Sequence, residues 1–412
     1  MFDKTTRVNL LIGTGHFFSH FYILTLPPLF FAWHETFDVS YAWLGASVAL
    51  MAGTTAVLQT PAGYLVDKYG AKIFLIGGTA LMAASVAAMA AATSYWHILV
   101  LATLSGAGNA VFHPADYSVL SGSIPRERLG RAFAFHLFTG HLGFALAPPI
   151  VVFLALTFGW RAAVLAVGLL GLPVVVAIIL QSSILSEQPG DREGDRPGDR
   201  GDKDEKATAT GPKRSAIFTR PMLLFFAFFM FGAMAQAGVQ SWLITVLQSV
   251  NGISLEMASW ALTAFVGGTV VGVLAGGWLA DLSGARHLLI ASVLITASAM
   301  LILAVGTLSL PVLFIVIFLG VSGSCFGASR VSRDIIVKNA APRGQIGVVF
   351  GFVSAGLPLG QAITPVPFGY LIDQGYAEYV LVAVAAILML SLLCGGGANL
   401  GARAAPDKSK AE

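Results

Sequence analysis

The 412-residue sequence is 56% hydrophobic and only 11% charged, with a mean hydropathy of +0.79 and a formal net charge of +3. That balance excludes a water-soluble globular domain, and the lack of period-two alternation excludes a closed barrel of strands. The expected fold class is an all-α membrane protein.

Apolar runs of about 20 residues, each enough to cross a hydrocarbon core of roughly 30 Å as a helix, recur twelve times. They cover 8–33, 42–66, 73–93, 97–123, 131–157 and 161–183, then 219–249, 257–280, 287–307, 310–336, 345–372 and 377–400. The first lies close to the N-terminus and lacks a small-residue cleavage pattern, so it is expected to be a retained helix, not a signal peptide. The 46 glycines and the intrahelical prolines suit such spans, because neighbouring helices re-satisfy backbone groups that a proline frees. Cys325 and Cys394 sit inside spans, at a spacing that suggests neither a metal site nor a disulfide. No nucleophile, phosphate-binding loop or metal cluster stands out, so neither enzymatic chemistry nor a cofactor is expected.

The charges set the expected topology. With both termini in the cytoplasm, the short inner loops carry Lys68, Lys72, Arg126, Arg128, Arg131, Arg286, Lys338 and Arg343, and the outer loops carry Arg161. This satisfies the positive-inside rule for a multi-pass protein of the cell inner membrane. Between the sixth and seventh spans, Gly190 to Lys206 has no apolar residue except Pro197 and repeats a Gly-Asp-basic triplet, the composition of a solvated, disordered linker. Acids outnumber bases there, which argues against nucleic acid as a partner. The expected division is 1–183 and 219–400 as two six-helix halves, 184–218 as the linker and 401–412 as a cytoplasmic tail.

The halves repeat each other. Gly63, Asp67, Gly70 and Lys72, after the second span, recur as Gly277, Asp281, Gly284 and Arg286. A shift of 217 residues sets Pro125, Gly130, Phe133, Phe135, Gly143 and Pro148 on Pro342, Gly347, Phe350, Phe352, Gly360 and Pro365. Internal repeats of this kind place a binding site at their interface, near the bilayer midplane.

At these residues the sequence resembles the major facilitator superfamily, whose signature loop has the Gly63–Lys72 pattern. Within it, Ser19-His20, the run Gly106-Ala-Gly108-Asn-Ala-Val-Phe112-His113-Pro114, and Gly140-x-x-Gly143 with Pro148 resemble the fosmidomycin-resistance-type efflux permeases. Ile23-Leu24 and Ala115 depart from that group's pattern, and Ala147 departs from the antiporter-type fifth helix. The resemblance implies alternating access in a monomer, with the first, fourth, seventh and tenth helices lining a cavity. It also implies that Asp67, Gly70, Lys72, Asp281, Gly284 and Arg286 take part in gating.

Ionisable residues far from the membrane surface are expensive, so they mark candidate sites. Asp116 lies ten residues, about 15 Å, from Arg126, and is the expected proton site. His113, one turn earlier, shares its face, and His16 and His20 stand at i and i+4 on the first helix. All four are assigned to proton coupling. The same 217-residue shift pairs His113 with Arg330 and Asp116 with Arg333. Arg330 is the expected ligand for an anionic group, joined on the substrate side by Gln236, Gln240, Trp242, Gln361, His136 and His141. Arg333 and Asp334 are assigned to a cytoplasmic gate. The expected activity is proton-coupled efflux of a small organic solute. Uptake of an organic anion is the nearest rival, and a non-transporting receptor or scaffold the rival of another class.

Overall fold

The computed structural model describes residues 3–186, 219–283, 286–341 and 346–404. The linker run, Gly284 and Arg343 fall outside these residues, as do the side chains of Arg126 and Asp281. Twelve spans form two groups of six. They are α1 (Lys4–Ile23), α2 (Tyr41–Tyr69), α3 (Ala71–Ala91), α4 (Tyr95–Ser123), α5 (Glu127–Phe158) and α6 (Trp160–Leu180), then α7 (Arg220–Ser249), α8 (Leu255–Leu279), α9 (His287–Thr307), α10 (Val312–Ala340), α11 (Val349–Asp373) and α12 (Tyr379–Ala398). All except α1 are both long and apolar enough to cross a bilayer by composition alone. Asn9, Thr14, His16, Ser19 and His20 make α1 more polar than the rest.

The first span corrects the sequence expectation at both ends. It starts at Lys4, not residue 8, because Asp3 caps it by accepting a hydrogen bond from the Thr6 N–H at 2.9 Å. It ends at Ile23, and the chain continues through a 3₁₀ turn at Pro27–Leu29 into a short helix, Phe30–Phe37. Pro27 and Pro28 supply no N–H to continue an α-helical ladder.

The same rule places the other interruptions. A proline frees the carbonyl four residues before it and crowds that turn. The ladder of α4 breaks at Ala110–Val111, before Pro114. Within α11 it breaks after Ser354 and again after Ile363, before Pro358 and Pro367. In contrast, α5 runs unbroken through Pro148 and Pro149. The Ala145 carbonyl that Pro149 cannot serve accepts a hydrogen bond at 2.8 Å from the Thr263 hydroxyl of α8, in the other half.

The halves are sewn together at the end of the bundle remote from the N-terminus. There the Asp373 carboxylate, closing α11, accepts the Tyr41 N–H at 2.6 Å and the Ala42 N–H at 2.9 Å, so it caps α2 from the opposite half. Trp242 of α7 donates to the Pro365 carbonyl at 3.0 Å and packs its ring 5.0 Å from that of Phe30. A Cβ on Gly369 would lie 2.6 Å from the Tyr41 carbonyl carbon, so glycine is what lets α11 approach α2 this closely.

Candidate functional site

Small residues bring α1 onto α5. A Cβ on Gly13 would lie 2.7 Å from Phe135 Cε1, and one on Gly143 would lie 3.0 Å from the Phe21 backbone nitrogen. Gly140 matters for chemistry as well as packing, since a Cβ there would stand 2.5 Å from His16 Nε2 and 3.0 Å from His20 Cε1. Gly140, one of the glycines named by the family resemblance, therefore makes room for the two histidines of α1, and Gly143 lets the backbone of α1 approach α5.

Those histidines meet the second segment of α4. The break at Ala110–Val111 resets its register, so that His113, Asp116 and Tyr117 come from a separate short helix, Phe112–Ser123. Asp116 is fully buried, and its Oδ2 lies 3.5 Å from His16 Nδ1 and 3.7 Å from His136 Nδ1. The His16 and His136 rings stack with centroids 3.6 Å apart. His20 and His113 approach the His16 ring at 4.3 Å and 5.3 Å, and His141 lies 6.5 Å from His20. Five of the chain's eight histidines thus gather around one carboxylate.

The grouping differs from the sequence expectation in one respect. His113 was paired with Asp116 along one helix, whereas the carboxylate faces His16 and His136 on two other helices. His136, expected on the substrate side, belongs beside Asp116. His141 is held by its own helix, with Nδ1 at 2.8 Å from the Leu137 carbonyl. Tyr117 had no place in the sequence reading, although it adjoins Asp116. Its ring lies 6.1 Å from that of His113 and 5.7 Å from that of His136, and with half-buried His113 it forms the accessible edge of the cluster.

Both oxygens of Asp116, both ring nitrogens of His16 and of His136, and Nδ1 of His20 and His113 are buried with no hydrogen-bond partner in the protein. A buried polar atom left unbonded costs about 1–3 kcal/mol. A pocket lined by so many polar atoms suits water, protons shared between imidazole and carboxylate, or a cation.

In the second half, Arg330 of α10 donates to Gln236 Oε1 of α7 at 2.7 Å and lies over the Phe326 ring at 5.3 Å, while its Nε is buried without a partner. Gln236 is buried, and Gln240 and Gln361 are half-buried. Trp242 is fully buried in the seam and committed to Pro365. Arg333 donates to Asp334 at 3.0 Å and stacks on Phe229 at 3.7 Å, so the partners described for this pair lie within the second half. Of the expected gating loop, Asp67 is exposed, Lys72 is half-buried, and Arg286 is exposed at the start of α9. Gly70 joins α2 to α3 at φ 91°, ψ 148°, a conformation that only glycine adopts readily.

A polytopic helical bundle of two six-span repeats, with buried ionisable groups in each half, has the build of a secondary transporter. Residues 12–255 and 242–397 match the profile of the Major Facilitator Superfamily, and the chain belongs to that family. It is 26% identical over 377 residues to the "Fosmidomycin resistance protein" of Escherichia coli, covering 90% of this chain and 87% of that one. It is 26% identical over 356 residues to the "Probable sulfoacetate transporter SauU" of Cupriavidus necator, covering 82% and 81%. The fold is also similar to the crystal structure of a bacterial homologue of the human lysosomal transporter Spinster in an inward-facing, unoccupied conformation, with a TM-score of 0.75, 14% identity and 98% coverage of both chains. The protein is accordingly a multi-pass membrane transporter of small organic solutes, not an enzyme.

Proposed function

We propose that this transporter couples solute movement to protons through Asp116, with His16, His136, His113 and His20 as its proton partners, and that it works as an exporter in the cell inner membrane. The observation that carries the reading is the fully buried carboxylate facing two imidazoles at 3.5 and 3.7 Å. An isolated anion deep in a bilayer costs several kcal/mol. Taking up a proton, or sharing one with a histidine, removes that cost, so the protonation state of this pocket weighs on which conformation is stable. With both termini in the cytoplasm, the end closed by Asp373 and Trp242 is the outer one. Export is supported by the likeness to the fosmidomycin resistance protein.

The test is solute flux in proteoliposomes under an imposed pH gradient. Wild-type protein should move solute against the direction of the proton, and Asp116→Asn should abolish the pH-driven part while leaving a folded, monodisperse protein. Unchanged pH-driven flux in Asp116→Asn would remove Asp116 from the mechanism.

A second reading, uptake of an organic anion, has its own observation. The Arg330 guanidinium, with one polar partner and a free buried Nε, can grip a carboxylate, sulfonate or phosphonate. It is supported by the likeness to a protein named for sulfoacetate. In that case solute and proton move together, and Arg330→Ala should raise KM for anions by roughly 10–100-fold.

A further inference from the structure

The Asp116 pocket has the composition of a metal site as well as the burial of a proton site. A ligating nitrogen from each of His16, His113 and His136 can be chosen so that all lie within 4.8 Å of one another. The Asp116 carboxylate stands beside two of the three, at 3.5 Å from His16 Nδ1 and 3.7 Å from His136 Nδ1, and would complete the shell by turning toward the ion. In a tetrahedral zinc site, with metal–ligand bonds of about 2.0–2.1 Å, neighbouring ligand atoms are about 3.4 Å apart. The two edges to Asp116 approach that length, and separations of up to 4.8 Å among the three imidazole nitrogens would close by as much as about 1.4 Å through side-chain rotation on binding. Three imidazoles and one carboxylate suit a borderline cation of the zinc class far better than magnesium or calcium, which prefer all-oxygen shells.

Anchoring and access fit the same ligand. The donors come from α1, the second segment of α4, and α5, and Gly13, Gly140 and Gly143 hold α1 and α5 in close contact. The half-buried His113 beside exposed Tyr117 offers a way in. The donor atoms of His16, His136 and Asp116 are more than nine-tenths buried and have no other protein partner, so no existing hydrogen bond has to be surrendered to a cation.

We propose that His16, His113, His136 and Asp116 form a binding site for one divalent transition-metal ion of the zinc class. The site lies wholly in the first six-helix half. It goes beyond the proton reading, since the cation would take the same donor atoms and the two occupants exclude each other.

The test is titration of Zn²⁺ into purified full-length protein in detergent, with any affinity tag removed, against a chromophoric chelator. Wild type should bind one equivalent. His16→Gln/His136→Gln and Asp116→Asn should weaken binding by roughly 100-fold, while His34→Gln and His97→Gln, which lie outside the cluster, should bind as wild type. X-ray absorption at the zinc edge of loaded wild-type protein should show two or three imidazoles in the shell, a readout that does not depend on any variant folding. Lack of stoichiometric binding by wild type, full affinity in His16→Gln/His136→Gln, or a shell without imidazole would overturn the assignment. The flux measurement is made with chelator present, so failure of the metal site and failure of proton coupling are read separately.

Discussion

Gly140 is the residue on which the pocket's geometry turns, because the space a side chain would need there is filled by His16 and His20. Gly140→Val should therefore lower stability by about 1–3 kcal/mol through overpacking, read as a fall in thermal unfolding temperature in detergent. Gly130→Ala on the same helix, where a Cβ would meet nothing within 4 Å, should leave it within about 0.5 kcal/mol of wild type. If both substitutions behave alike, the close approach is not what holds the histidines. At this scale the sequence was legible for identity and not for partnership. Asp116 declared itself by lying in an apolar run. His16, 100 residues away, was grouped with it only as another ionisable residue on a cavity helix, and His136, 20 residues away, was assigned to the substrate side, because both meet Asp116 through the packing of α1 and α5 on α4.

At the level of the element, Pro114 decides where Asp116 points. By ending the first part of α4 at Asn109, it lets Phe112–Ser123 run in its own register. Pro114→Ala should restore a continuous ladder and turn Asp116 away from His16 and His136. Proton-driven flux should then fall at least about 10-fold while the protein stays folded, since a misplacement of about 1 Å at a site can cost that much; unaltered flux would show that the break is incidental. Hydropathy located every span except α1 within a few residues, but the breaks in α4 and α11 could be placed only from the prolines. Periodicity gives no warning of where α1 stops. It stops where Pro27 and Pro28 remove two donors, after a helix whose polar residues serve the pocket and not the lipid.

For the whole molecule, the repeat in the sequence foretold two halves, and the seam between them came from structure alone. Asp373 and Thr263 drew no notice in the sequence because one is an ordinary acid at a helix end and the other an ordinary hydroxyl inside a span. Their importance lies in what they touch across the interface. Two backbone donors on one carboxylate are worth about 1.5–3 kcal/mol each, and they exist only while the remote end is shut. Asp373→Ala should therefore shift the population toward the opposite-facing state by on the order of 100-fold or more, seen as longer distances between spin labels placed across that end. An unchanged distance distribution would mean that the cap holds no share of the closed state.

The hydrogen bond from Thr263 to the carbonyl freed by Pro149 has a consequence for the medium around the protein. When the seam parts, that carbonyl must trade a hydroxyl of the other half for water, and Asp373 and the N–H groups of Tyr41 and Ala42 must hydrate as well. Opening the remote end is thus a wetting step as much as a movement of helices. Its equilibrium depends on water activity, so solutes that are excluded from protein surfaces draw the bundle toward the sealed form.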